Sequence, residues 1–89
     1  MIFEWDNAKN ITNQKKHGIS FEFAAKVFLD PFLVTYEDVF HDEVRWLSVG
    51  SVDGISVLLV VHTYPDDDSI RIISARKLSK SEVKQYGYR

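Results

Sequence analysis

The stretch RWLSVGSVDGISVLLVVH, residues 45–62, decides the fold. Residues 45–52 are rich in β-favouring side chains, and so are residues 55–62. Between them stands Asp53-Gly54, a pair that tolerates positive φ at both positions and so signals a tight hairpin. The run from Val57 to Val61 does not alternate, which suits a central strand covered on both faces. Residues 45–52 and 55–62 are therefore two antiparallel strands, the second at the middle of a sheet.

Working outward, residues 32–36 read as a preceding strand and the acidic residues 37–43 as a turn region. On the other side, Tyr64-Pro65 and Asp66-Asp67-Asp68 form a turn, and residues 70–75 form the next strand. Ser79 and Glu82 then make the S-x-x-E pattern in which side chain and backbone satisfy each other at a helix start. The last helix covers residues 80–86 and ends at Gly87. At the N-terminus, residues 2–5 form a short strand. Asp6 can cap a polar helix that ends at Gly18, with Lys15, Lys16 and His17 set against the negative end of its dipole. Ser20 can cap a second helix, whose apolar face is Phe21, Ala24, Ala25, Phe28 and Leu29 and which stops near Asp30, before Pro31. The expected fold is α+β: an antiparallel meander of about four strands, two N-terminal helices and one C-terminal helix, in one domain over residues 1–89.

The 89 residues include no cysteine, so disulfide frameworks, thiolate zinc sites and a cysteine nucleophile are excluded. Twelve aromatic side chains (six Phe, four Tyr, two Trp) help a small core, because each can bury on the order of 150–250 Å². No apolar run reaches the roughly 20 residues of a membrane helix, and the N-terminus lacks the pattern of a signal peptide. A cytoplasmic location is the expectation.

The net charge of −2 conceals a segregation. Acidic residues dominate 28–68, where Arg45 is the single basic side chain, while residues 69–89 carry Arg71, Arg76, Lys77, Lys80, Lys84 and Arg89 against Glu82 alone. Either the two segments neutralise each other across the sheet, or a positive phosphate-binding surface stands on a neutral-looking chain. The chain has no P-loop, dinucleotide-binding glycine pattern, H-E-x-x-H or nucleophile elbow. His41-Asp42-Glu43 could be drawn as a metal cluster, but a solvated acidic turn explains it more simply, so neither metal nor cofactor is expected. By strand parity Glu43 and Arg45 project to one face, and Arg71 goes with Ile73 and Ala75. Cleavage of an RNA backbone needs a base for the 2′-hydroxyl, an acid for the leaving oxygen and a cation for the phosphate. Histidine, lysine and glutamate suit the proton transfers, and the planar fork of arginine suits the phosphate.

The blocks FEWDNAKNITNQKKHGISFEFAAKVFLDP (3–31), HDEVRWLSVG (41–50) and RIISARKLSKSEVKQY (71–86) together resemble the BrnT family of type II toxin–antitoxin toxins. The resemblance implies a RelE-like fold and a ribonuclease that cuts RNA and blocks translation. It also implies a BrnA-type antitoxin, whose DNA-binding portion would provide any contact with DNA. The matching residues are Lys16, His17, Glu43, Arg45, Arg71 and Arg76, and the basic C-terminal segment adds Lys77. His17, Glu43, Arg71 and Arg76 are then the candidates for chemistry, and Lys16, Arg45 and Lys77 for holding RNA. The alternative is a non-enzymatic interaction protein whose basic face docks an acidic partner.

Overall fold

The computed structural model of the chain describes residues 1–40 and 42–88. The elements in order are β1 (Ile2–Glu4), α1 (Asn7–His17), α2 (Phe21–Ala24), a 3-10 helix (Ala25–Leu29), β2 (Val34–Phe40), β3 (Glu43–Val52), β4 (Ser56–Asp66), β5 (Ser69–Lys77) and α3 (Lys80–Gln85). Local chemistry sets the helix ends as expected. The Asp6 carboxylate accepts from the Lys9 N–H at 3.0 Å, and Gly18 closes α1 in the left-handed region at φ 71°. Ser20 caps α2 through the Phe23 N–H, and Ser79 and Glu82 cap α3 reciprocally.

The five strands lie in the order β1-β5-β4-β3-β2. The expected meander is β2 to β5, and β1 joins it parallel to β5, placing Phe3 opposite Ile70 and Glu4 opposite Arg71. The central position of β4 agrees with its continuous apolarity. Leu58, Leu59 and Val60 are buried there, while Val57 and Val61 are half-buried rather than fully enclosed. Asp53 and Gly54 turn the β3–β4 hairpin at φ 55° and 68°. Ile55 stays outside the ladder, donating to the Val52 carbonyl, so β4 begins one residue later than expected.

Further expectations change, and Leu29, expected on the apolar face of the second helix, is 84% exposed. Residues 37–40 belong to β2, not to a turn. β2 is an edge strand, where Glu37 and Asp38 stay in water and discourage pairing with other sheets. At the other hairpin β4 runs on to Asp66. The second helix keeps α geometry only to Ala24 and then tightens to 3-10, ending where the Asp30 N–H donates to the Val27 carbonyl. This short turn fits Pro31, which keeps the preceding residue out of the helical region.

The core lies between one sheet face and the α2–3-10 segment. Phe21, Ala24 and Val27 pack there on Val52, Leu58, Val60, Ile70, Ile72 and Ala75, with Ala25 and Phe28 at the margin. Gly50 leaves room for this contact, because an added Cβ would lie 2.9 Å from Leu33 Cδ1 and 3.1 Å from both Val27 Cβ and the Val27 carbonyl oxygen. Ala75 enters the core beside Ile70 and Ile72 because of a β-bulge. Val61 pairs with Ser74 and His62 with Ile72, which leaves Ile73 unpaired. Simple alternation put Ala75 on the face of Arg71; the extra residue reverses that parity.

A candidate RNA-binding face and its flank

Opposite residues of an antiparallel ladder share a face, so the register defines the surface turned away from the core. One row crosses all five strands: Asp38 pairs with Arg45, Thr63 with Arg71, and Arg71 with Glu4. Arg45 and Thr63 each stand one position beyond the Trp46–His62 pair, which joins the two halves. The next row holds Tyr36, Leu47, Val61 and Ser74, and the row after it Val34, Val49, Leu59 and Arg76. Glu43 shares this face with Arg45 by parity on β3. The helix α3 reaches the same face. The Tyr36 hydroxyl donates to the Tyr86 carbonyl, and Glu82 grips Arg76. Tyr88 donates to Asp30, which also accepts from the Ser51 and Phe32 N–H groups.

Four of the seven candidates, Glu43, Arg45, Arg71 and Arg76, therefore lie on one face. They do not form one cluster. Arg71 and Arg76 are five residues apart on a strand, about 16 Å of extended chain, which is too far for both to remain in place and hold one phosphate. Each is also engaged by a carboxylate. Arg71 Nη1 is 3.6 Å from Glu4 Oε1, and Arg45 Nη2 is 3.5 Å from Glu43 Oε2. The Arg71 pair is long and exposed, of a kind that contributes about 0–1 kcal/mol, so an incoming phosphate can displace it, whereas the Arg45 side chain is half-buried. Arg76 differs. Its two terminal nitrogens donate to the two oxygens of Glu82 at 3.1 and 2.8 Å. That fork, with the Ser79 N–H, holds the Glu82 carboxyl down to about 2 and raises the Arg76 pKa. Arg76 thus fastens α3 to β5 as well as facing solvent.

Lys77 points elsewhere. It pairs with Leu58, a core residue, and so leaves the sheet on the face opposite Arg76. Lys16 and His17 come from α1, which lies along the flank of β5. There they line a groove with Ala8, Lys9, Thr12, Asn13, Ile73 and Ser74. Ser74 is the residue common to that groove and the charged face. His41 lies outside the described residues, so the arrangement of the His41-Asp42-Glu43 group is not described.

What places α1 was not visible in its pattern. The helix has few apolar residues, and one of them, Ile11, is 55% exposed. The buried positions are Asn10 and Asn13. Asn13 Nδ2 donates to the Ala75 and Ile19 carbonyls, both at 2.8 Å, and its Oδ1 accepts from the Ala75 N–H at 3.2 Å. A side-chain amide here completes the strand edge that β1 leaves open. Asn10 Oδ1 accepts from the Phe21 N–H, and its Nδ2 donates to Glu22, locking α1 to α2. A polar helix with no apolar stripe was the one available signal that polar anchors hold it. Neither the outward turn of Ser74, set by the bulge, nor the core-facing contact of His62 with Ser48 has a signal in the sequence pattern.

The comparisons with known proteins agree with this fold. The model of the family described as "Ribonuclease toxin, BrnT, of type II toxin-antitoxin system" matches residues 5–82. No curated protein sequence matches the chain. Among solved structures, the crystal structure of the Brucella abortus ribonuclease toxin BrnT superposes with a TM-score of 0.71 at 22% identity, covering 90% of this chain and 100% of that one. That likeness concerns the fold, and it agrees with the α+β expectation. With the family match spanning most of the sequence and the sheet, helices and charged face in place, this chain belongs to the BrnT family of ribonuclease toxins of type II toxin–antitoxin systems.

Proposed function

We propose that the chain acts as a metal-independent endoribonuclease of the cytoplasm, a single toxin unit over residues 1–89 that stops translation by cutting RNA. The observation that supports this most is the row of Arg45, Thr63 and Arg71 across the sheet, in which Arg71 meets Glu4 through a long, exposed pair. Arg71 exchanges that partner for phosphate oxygens, beside Arg45 in the same row. Arg76 adds positive potential at the far end of the face while keeping α3 docked. Glu43 stands beside Arg45 and His17 stands at the flank near Ser74, and these two are the groups available to move protons. Lys16 contributes to holding the strand of RNA. Lys77, on the opposite side, has no part in this face.

The partner in this reading is a BrnA-type antitoxin that covers the charged face and carries any contact with DNA. A ligand that binds only the folded state stabilises it by about 2.7 kcal/mol at a hundredfold excess over Kd. The adjacent gene's product should therefore raise the melting temperature.

The direct test uses the purified protein and single-stranded RNA in EDTA. Cleavage should persist without divalent metal, and Arg71→Ala should reduce it by about 10²-fold with the melting temperature little changed. Loss of all cleavage in EDTA refutes metal independence. Full activity in Arg71→Ala removes the row from the active site and favours a face that only docks a partner.

A further inference from the structure

The three arginines of the face all form ion pairs with carboxylates. Among the described residues no ion pair involves Lys9, Lys16 or His17. The sequence of α1, NAKNITNQKKH, contains no acidic residue, and none lines the groove between α1 and β5. The nearest acidic residue of α2, Glu22, is occupied by Asn10 Nδ2 at 2.8 Å. The groove also holds two hydroxyls, Thr12 and Ser74, which make no side-chain hydrogen bond among the described residues.

The rotation of α1 is set by Asn13, which is clamped to both the N–H and the carbonyl of Ala75. With that side turned to the sheet edge, Lys9, Thr12 and Lys16 fall at i, i+3 and i+7, along one exposed stripe beside Ile73 and Ser74. Seven residues of helix put Lys9 and Lys16 about 10 Å apart along the axis. One phosphate cannot bridge them, so they fit different phosphates of one strand. Lys15, on the same helix, does not line the groove.

We propose that the α1–β5 groove is a track for the phosphodiester backbone of single-stranded RNA, with Lys9 and Lys16 on separate phosphates and Ser74 leading from the track onto the face of Arg71. The proposal rests on the ribonuclease reading and adds Lys9 to the residues that hold substrate. The groove takes an RNA backbone rather than an acidic protein segment because its cations are spaced along a line and its walls offer hydroxyl donors.

The test measures binding of a 2′-O-methyl RNA oligonucleotide, which cannot be cut through its 2′-hydroxyl, across a salt series. Each phosphate contact on a single strand contributes about 0.7 to the slope of log K against log salt. Lys9→Gln and Lys16→Gln should each weaken binding and flatten the slope by about 0.7, and Lys15→Gln should do neither. Equal effects from all three variants would reduce the groove to diffuse charge and overturn the proposal. So would unchanged binding in both Lys9→Gln and Lys16→Gln, or loss of antitoxin binding in those variants with RNA binding intact. A wild-type protein that cuts no RNA yet binds the oligonucleotide through Lys9 and Lys16 leaves the track standing and refutes the ribonuclease reading instead.

Discussion

Acid should destabilise this protein well before its carboxylates are fully protonated, because of His62. The ring is fully buried on the core side of β4, with Phe28 and Tyr64 edge-on at centroid distances of 5.0 and 5.2 Å. Nε2 lies 2.7 Å from Ser48 Oγ, which is in turn 2.9 Å from Thr35 Oγ1. Burial pushes the His62 pKa down from 6.5 to about 4, and the Thr63 backbone pulls only weakly the other way, since Nδ1 makes no hydrogen bond of good geometry. The unfolded chain therefore takes up a proton near pH 6.5 that the folded chain refuses until about pH 4. Stability falls as the pH drops through that window. Linkage with those two values gives a loss from this group of about 2 kcal/mol between pH 7.5 and 5, and about 3 kcal/mol in full. Urea unfolding at pH 7.5 and 5.0 measures it directly. His62→Gln should be less stable at pH 7.5 but should lose far less on acidification. An unchanged wild-type midpoint between the two pH values would refute the argument, as would an equal loss in His62→Gln.

Asn13→Ala should cost about 2–3 kcal/mol in urea unfolding, because both backbone groups of Ala75 lose their partner at a strand edge. A loss under about 0.5 kcal/mol would mean that water replaces the amide without penalty. Gly50→Ala should destabilise by about 1–3 kcal/mol, since the new methyl meets the side chain and carbonyl of Val27 as well as Leu33. A neutral result would show that the 3-10 segment moves aside. Glu82 carries a carboxyl lowered from 4.5 to about 2, chiefly by the Arg76 side chain, so its contribution is present above pH 4.5 and disappears as the pH falls from there towards 2. Glu82→Gln should flatten that limb of the acid titration and speed amide exchange in α3; unaltered exchange would show that the fork does not hold the helix.

The features that the sequence settled unaided are those whose cause lies within a few residues. Asp6, Ser20 and Ser79 had to cap helices because the amides they satisfy are three positions away, and Gly18 had to end α1 because only a left-handed residue closes that turn. Asp53-Gly54 announced its hairpin for the same reason, and the apolar run of β4 announced a central strand because burial on both faces leaves no polar position. Glu43 and Arg45 shared a face by parity on one strand, but setting Arg71 on that face, in one row with Arg45, needed the register of three strands. Other features depended on residues far along the chain. Three residues of β1 carry too little pattern to choose a partner, and their parallel pairing had to wait for the open edge of β5. The bulge at Ile73 reversed the side of Ala75, which alternation cannot foresee because the extra residue is defined only against β4. The pose of α1, and with it the positions of Lys9, Lys16 and His17, rests on hydrogen bonds between Asn13 and a strand 62 residues away. Short-range sterics and capping are written in neighbouring letters, whereas the meeting of an amide with a distant strand edge exists only once the sheet has formed.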